Sequence, residues 1–73
     1  MKGNNYDKKR TALSQKLIEA REVAKLTQKQ VAHTGILSQT ELSKIENGQR
    51  KVEFILLLEL IKLYKKDISF FKV

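Results

Sequence analysis

Two helix-start signals that stand eleven residues apart in the middle of the chain constrain its fold more than any other feature. Thr27 precedes Gln30 by three residues, and Ser38 precedes Glu41 by the same distance. In this arrangement, a capping box, the hydroxyl accepts a hydrogen bond from the later backbone amide and the Gln or Glu side chain bonds back to the earlier one. Gly35 lies between the two signals and interrupts the first helix. The spacing predicts two short helices joined by a tight turn.

Helical spacing also appears upstream of these signals. Apolar residues recur there at intervals of three and four, which places them on one face of a helix. They are Leu13, Leu17, Ala20, Val23 and Ala24. This first helix has three candidate caps, Asn4, Asn5 and Thr11. Residues 1–10 carry four Lys or Arg side chains, so we expect a basic N-terminal arm that is partly disordered up to about residue 5.

The remaining elements are also predicted to be helical. The second helix begins at Gln28, the third spans residues 39–47 before Gly48, and a fourth spans about 52–64. A short helix or turn is expected in the last apolar piece, 68–73. The chain has no proline, and no segment shows the alternating pattern of a half-buried strand, so the sequence predicts an all-α fold.

The charge balance favours an anionic partner. Fifteen Lys and Arg against eight Asp and Glu give a net charge of +7, which favours nucleic acid or anionic lipid. The chain has no cysteine, and its single histidine, His33, cannot form a metal site alone. No acid-base pair, metal cluster or phosphate loop can be assembled from the sequence. We therefore expect a protein that is not an enzyme and holds no metal or cofactor.

Neither a secretory signal nor a membrane span is predicted. The N-terminal charges are not followed by an apolar stretch. The longest nearly apolar run, 54–64, is interrupted by Glu59 and Lys62 and is shorter than the roughly 20 residues that cross a bilayer. The expected location is the cytoplasm.

The stretch from Thr27 to Lys51 resembles the helix-turn-helix of the phage repressor and Cro family, the xenobiotic-response-element type of bacterial regulators. The similarity extends upstream, and the matching positions are Leu13, Leu17, Ala20, Arg21, Leu26, Thr27, Gln28, Ser38, Gln39, Ser43, Ile45, Glu46, Gly48 and Arg50. The resemblance implies one five-helix, lambda-repressor-like domain over residues 11–73. Its helix-turn-helix unit would span 28–47, and its dimerisation helix and tail would span 52–73.

The predicted third helix carries a polar outer face. Helical spacing places Leu42 and Ile45 inward, which turns their polar neighbours outward. Gln, Lys, Ser and Thr side chains can bond to base edges in the major groove of DNA. The resemblance implies base contacts by Gln39, Thr40, Ser43 and Lys44. It implies phosphate contacts by Gln28, Ser38, Asn47, Arg50 and Lys51. Gln28 would also brace Gln39, the first glutamine of the recognition helix.

Two more features bear on the helix-turn-helix. Arg21 and Glu46 each place a charge on the apolar stripe of a helix, and the resemblance implies that they form a partly buried structural ion pair. In the turn, Ile36 stands where the family usually has glycine, and Gly35 comes one residue early. Either this glycine takes the left-handed position of the turn, or the second helix ends early.

The fourth helix is apolar on all sides, and one small core cannot cover every side. Helical spacing assigns one set to the monomer core: Phe54, Leu57, Leu58, Ile61 and Tyr64. The remaining apolar residues predict a homodimer interface, formed by Ile55, Leu56, Leu63, Phe70 and Phe71. Membrane binding is the weaker alternative, because the lysines of this region do not form a clean polar face.

The combined expectation is a sequence-specific transcriptional regulator that binds a palindromic operator in double-stranded DNA as a homodimer. Two alternatives are an antitoxin of the same fold whose apolar tail binds a toxin, and a protein-interaction module that does not bind DNA. Salt-dependent DNA affinity, together with a relaxed sequence preference in Gln39→Ala, distinguishes the DNA-binding readings from the interaction module.

Overall fold

The computed structural model describes residues 5–73. Within that range the chain forms four α-helices and one short 3-10 helix, with no strand. The elements are α1 (Asn5–Val23), α2 (Gln28–His33), α3 (Gln39–Glu46), α4 (Phe54–Tyr64) and the C-terminal 3-10 helix (Ile68–Phe71). The predicted all-α class is confirmed. The predicted count of five helices is not matched, because the last apolar piece forms a four-residue 3-10 helix and no fifth α-helix.

The first described residues, 5–10, are helical and belong to α1. The sequence predicted a basic arm over residues 1–10 that is partly disordered up to about residue 5; residues 1–4 of that arm lie outside the described residues. Asp7 lies in the first turn, where a negative charge complements the helix dipole. The Nζ atom of Lys51 lies 5.4 Å from the centre of the Tyr6 ring. These two features support helix over the first described residues.

Both predicted capping boxes form. The Thr27 hydroxyl accepts a hydrogen bond from the Gln30 amide at 3.0 Å, and the Gln30 side chain accepts one from the Thr27 amide at 2.8 Å. Ser38 and Glu41 make the same reciprocal pair, with both distances 3.0 Å. Each box satisfies two backbone amides that the helix itself leaves free. The starts of α2 and α3 are therefore fixed by local bonds.

The turn between α2 and α3 uses its glycine in the left-handed conformation. Gly35 has φ of +87°, whereas Ile36 does not have a positive φ. Of the two alternatives that the sequence left open, the structure shows the shifted turn, with the glycine taking the position that a β-branched residue resists. Ile36 is then free to pack, partly buried, against the core.

Two other left-handed positions are filled by lysine. Lys25 follows α1 with φ of +61°, and Lys65 follows α4 with φ of +57°. After α1, the Leu26 amide donates to the Arg21 carbonyl at 3.1 Å, which satisfies one of the last carbonyls of the helix. Non-glycine residues occupy this conformation at a cost of roughly 1–2 kcal/mol.

The core lies where α1, α3 and α4 meet, and it is closed by α2 and the 3-10 helix. Its largest fully buried side chains are Leu17, Val31, Leu42, Ile45 and Leu60. Buried Ser14 of α1 donates from its hydroxyl to the Ile45 carbonyl near the end of α3, at 2.8 Å. This bond ties the two helices together at the end of α3 that leads to α4.

The inward face of α4 differs from the predicted one. Leu60, Ile61 and Tyr64 are buried, whereas Phe54 is 63% exposed and Leu58 is 40% exposed. Assigning the last two to the monomer core was therefore wrong. A helix that is apolar on every side gives no stripe from which its orientation can be read, so its contacts with α1 decide which residues face inward.

The C-terminal 3-10 helix contributes to the core of its own chain. Phe71 is buried, and its ring packs edge-on against Phe70 with the ring centres 5.1 Å apart. Phe71, which the sequence assigned to a dimer interface, is therefore covered by its own chain. No helix of residues 5–73 has both the length and the apolar character needed to span a bilayer.

Tyr64 yields a prediction about alkaline stability. Its hydroxyl is buried and has no hydrogen-bond partner among the described residues, and burial, reinforced by the Glu46 carboxylate, raises the pKa of Tyr64 to about 12. Above pH 10 the unfolded tyrosine loses its proton while the folded one keeps it, so stability should fall as pH rises from 10 to 12. We expect Tyr64→Phe to remove this part of the loss and, at neutral pH, to leave the free energy of unfolding unchanged or raise it by about 1 kcal/mol.

Urea unfolding followed by circular dichroism at pH 7, 10 and 11 measures both effects. The exposed Tyr6 is present in both proteins and serves as the internal control. Equal alkaline losses in the two proteins would contradict the prediction.

Candidate nucleic-acid interface

The outer face of α3 presents polar side chains to solvent, opposite its buried face. Leu42, Ile45 and Glu46 are buried on the inner side. All four predicted base-contacting residues lie on the other side and line one shallow surface depression together. Gln39, Thr40 and Lys44 are exposed, and Ser43 is half-buried. The structure therefore brings the predicted reading residues together on one continuous surface.

The chemistry of this surface suits the major groove. The amide of Gln39 can donate to and accept from an adenine edge, and the ammonium of Lys44 can donate to the two acceptors of guanine. The hydroxyls of Thr40 and Ser43 can pair with several base edges. Gln39 is the first residue of α3 and is exposed, so its side chain lies at the N-terminal tip of this short helix.

The predicted phosphate-contacting residues do not form one cluster. Ser38 is exposed, and its hydroxyl caps α3. Asn47 is exposed just after that helix. Arg50 donates to the Glu41 carboxylate at 3.3 Å, with both side chains about half exposed. Lys51 lies farther along, over the ring of Tyr6. Ser38 and Asn47 therefore flank α3 at its two ends, whereas Arg50 and Lys51 lie beyond it, on the segment that leads to α4.

Gln28, the fifth predicted phosphate-contacting residue, is engaged inside the protein. Its side-chain amide donates to Glu46 at 2.8 Å, whereas the resemblance implied that it braces the first recognition glutamine. Gln28 still lines the same depression as Gln39.

Glu46 is the centre of a hydrogen-bonded cluster beneath α3. Its carboxylate accepts from Arg21 Nε at 2.8 Å and from Arg21 Nη2 at 3.1 Å, which is a two-point contact. With the bond from Gln28, one buried carboxylate joins α1, α2 and α3. Arg21 also donates from Nη1 to the Leu26 carbonyl at 2.9 Å, which fixes the segment between α1 and α2.

Burial strengthens the attraction between Arg21 and Glu46. The Glu46 side chain is 3% exposed and that of Arg21 is 14% exposed, so solvent screens their attraction only weakly. Hydrogen bonding to Glu46 raises the pKa of the Arg21 guanidinium above its ordinary value. At the surface, hydrogen bonds with Ser38 lower the pKa of Glu41. The Glu41 carboxylate therefore acts as an ionised hydrogen-bond acceptor.

Comparison with protein-family models matches residues 17–71 to a family described as helix-turn-helix. That span contains α2, α3, the turn between them and most of the remaining elements. The chain belongs to this helix-turn-helix family. A search of curated proteins and a search of solved structures gave no match. Family membership suggests a DNA-binding regulator, which agrees with the polar outer face of α3.

In this helix-turn-helix protein, one surface residue was missed by the sequence reasoning. Gln49 lines the same depression as Gln39 and Lys44 and is exposed. The backbone amide of Gln49 donates to the Lys44 carbonyl at 2.8 Å, so the turn at Gly48 brings Gln49 back beside α3. The sequence does contain a signal for this position of Gln49: a glycine that caps a helix folds the next residue back toward that helix, and Gly48 precedes Gln49.

The residues predicted for a dimer interface are dispersed in this structure. Ile55 is exposed, but Leu56 and Leu63 are partly buried against the core. Phe70 is also partly buried, and its ring lies 4.7 Å from both the Lys16 and the Lys66 ammonium nitrogens. With Phe71 in the core, only Ile55 of the five has most of its surface exposed to solvent.

The Glu46 cluster yields a stability prediction. Glu46→Gln removes the charge that compensates Arg21, and stranding a partly buried cation should lower the free energy of unfolding by roughly 3–5 kcal/mol. Glu41→Gln is the matched control, because it also removes a carboxylate paired with an arginine but does so at the surface, where the loss of stability should be much smaller. Thermal and urea unfolding measure both.

A double variant, Arg21→Met with Glu46→Leu, refines this test. Replacing both charges with apolar groups should cost less than Glu46→Gln alone, since no charge is left without a partner. Equal effects of Glu46→Gln and Glu41→Gln would refute the importance of the buried pair.

Proposed function

We propose that the protein is a sequence-specific, duplex DNA-binding transcriptional regulator of the cytoplasm that acts as a homodimer on a palindromic operator. The observation that carries the proposal is the outer face of α3, where four side chains able to read base edges lie together while the opposite face is held in the core. In such a helix-turn-helix the second helix enters the major groove. Here α3 is that helix.

The two classes of contact have separate roles in this proposal. Gln39, Thr40, Ser43 and Lys44 would supply base contacts, which determine sequence preference. Arg50 and Lys51 would supply phosphate contacts, which determine register and affinity. The pair between Arg50 and Glu41 does not prevent this, because an exposed ion pair contributes little free energy and a DNA phosphate can replace the carboxylate. Gln49 joins the base-facing surface.

Variants of these two classes test the DNA-binding proposal. Gln39→Ala should cost about 1–3 kcal/mol on the preferred sequence and relax the preference at one base position. Arg50→Gln should weaken binding to all sequences and reduce the salt slope by about 1. Selection from random duplexes, followed by affinity measurements at several salt concentrations, gives both results. Lys62→Gln is the control, since it removes one positive charge from α4, which contributes no residue to the depression on the outer face of α3. No binding to any duplex at low salt would refute the proposal.

The homodimer is supported by an apolar patch that differs from the predicted interface. It consists of Phe54, Ile55 and Leu58, which are adjacent on the first turns of α4 and are 63%, 66% and 40% exposed. We call these three residues the α4 patch. A contiguous apolar patch on a small domain is typical of an interface. A second copy fits it, because a two-fold axis brings identical patches into contact.

A substitution in the α4 patch tests the dimer. Leu58→Lys should shift the protein from dimer to monomer in sedimentation experiments at tens of micromolar, because it places a charge at the centre of the apolar contact. It should also weaken operator binding, since a monomer engages only one half-site. Ile68→Lys is the control, because Ile68 is an exposed apolar residue outside α4.

A wild-type protein that is monomeric under these conditions would refute the homodimer. If that monomer still bound DNA, the α4 patch would be free for a different protein, as in the antitoxin alternative.

A further inference from the structure

A cleft separate from the outer face of α3 lies between the first half of α1 and the segment that joins α3 to α4. It has a volume of about 310 Å³, which is at the lower end of the range for small-molecule sites. Its apolar lining includes Tyr6, Leu13, Ile45 and Val52. An apolar molecule of modest size would therefore be removed from water there.

The rim of this cleft is strongly basic. Lys9 and Arg10 come from α1, and Arg50 and Lys51 come from the α3–α4 segment. No acidic side chain is among the described residues that line the cleft. Arg50 also donates to the Glu41 carboxylate, and the positive charge that the other three cations add around an apolar space favours a ligand that combines an apolar body with a negative group.

One polar atom at the cleft is buried without a protein partner. Arg10 Nε has no hydrogen-bond partner among the described residues. A buried donor left without an acceptor carries an energetic cost, which a negatively charged acceptor would remove. The neighbouring Lys51 ammonium lies on the ring of Tyr6, so a second cation is held at the same rim. Arg10 lines the cleft, and no protein acceptor holds its guanidinium through Nε, so we assign the anion to this side chain.

We propose that this cleft binds a small amphiphilic monoanion of the class of medium-chain aliphatic carboxylates, with the carboxylate at Arg10 and the chain against Leu13, Ile45 and Val52. The same ligand draws on Arg50 and Lys51. If these two residues contact DNA phosphates, which rests on the function proposed above, the ligand weakens DNA binding. The protein then carries a site for a small-molecule effector within its DNA-binding domain.

Three probes separate the two components of the proposed ligand. Decanoate carries both an apolar chain and a charge, decanol carries only the chain, and inorganic phosphate carries only the charge. Calorimetric titration of the full chain, below the critical micelle concentration of decanoate, should give one site for decanoate and binding weaker by at least about tenfold for the other two. Decanol binding as tightly as decanoate, or no decanoate binding at millimolar concentration, would overturn the proposal.

Variants and mapping locate the site. Arg10→Gln should weaken decanoate binding by about tenfold, and Lys9→Gln should have a smaller effect in the same direction. Lys62→Gln on α4 is the matched control and should leave the affinity unchanged. Thermal unfolding verifies that each variant is folded. Amide chemical shifts should move around Leu13, Ile45 and Val52; shifts confined to the α4 patch would overturn the proposal, since they would identify nonspecific binding of an amphiphile there.

The effect on DNA is tested separately. Decanoate should lower the affinity for the selected duplex in the wild type and have a smaller effect in Arg10→Gln. Calorimetric binding is measured without DNA, so a failure of DNA binding and a failure of the ligand site give different results. Decanoate that binds in the cleft but leaves DNA affinity unchanged would overturn the effector role.

Discussion

The buried carboxylate of Glu46 is the interaction on which the position of α3 depends. It accepts two hydrogen bonds from Arg21 of α1 and one from Gln28 of α2, so three helices meet at one side chain. A helix of eight residues is too short to be stable alone in water. Its angle to the rest of the domain is set by packing on one side and by this cluster. The net stability gained from a buried ion pair is small, and its main contribution here is a defined geometry.

The helix-turn-helix was the part of the fold that the sequence determined best. Thr27 and Ser38 begin helices through bonds to residues three positions later, so their effect is local and does not depend on the rest of the chain. The orientation of α4 was not predictable in this way. Its apolar residues cover every side, and only the tertiary contacts of Leu60 with the core select the inward face. Lys25 was also unforeseen, because no glycine marks its left-handed position.

The candidate site was also predictable from the sequence only in part. The residues of the outer face of α3 follow from helical spacing once Leu42 and Ile45 are placed inward. The hydrogen-bond partner of Gln28 does not follow from helical spacing. Gln28 and Glu46 lie on different helices, and only the packing of α2 against α3 brings the two side chains together. The burial of Phe71 in its own chain also did not follow from the sequence, because the pattern does not indicate whether residues 68–73 fold back onto the core, and in the structure they do.

The lysines at the left-handed positions after α1 and α4 have a consequence for the lifetime of the protein. Each holds a conformation that glycine would adopt without strain, so the folded state gives up free energy at both helix ends. In a small domain such a loss raises the unfolded fraction that cellular proteases degrade. Any partner that binds only the folded state opposes this degradation by mass action. The free protein would then be degraded faster than the protein bound to a partner.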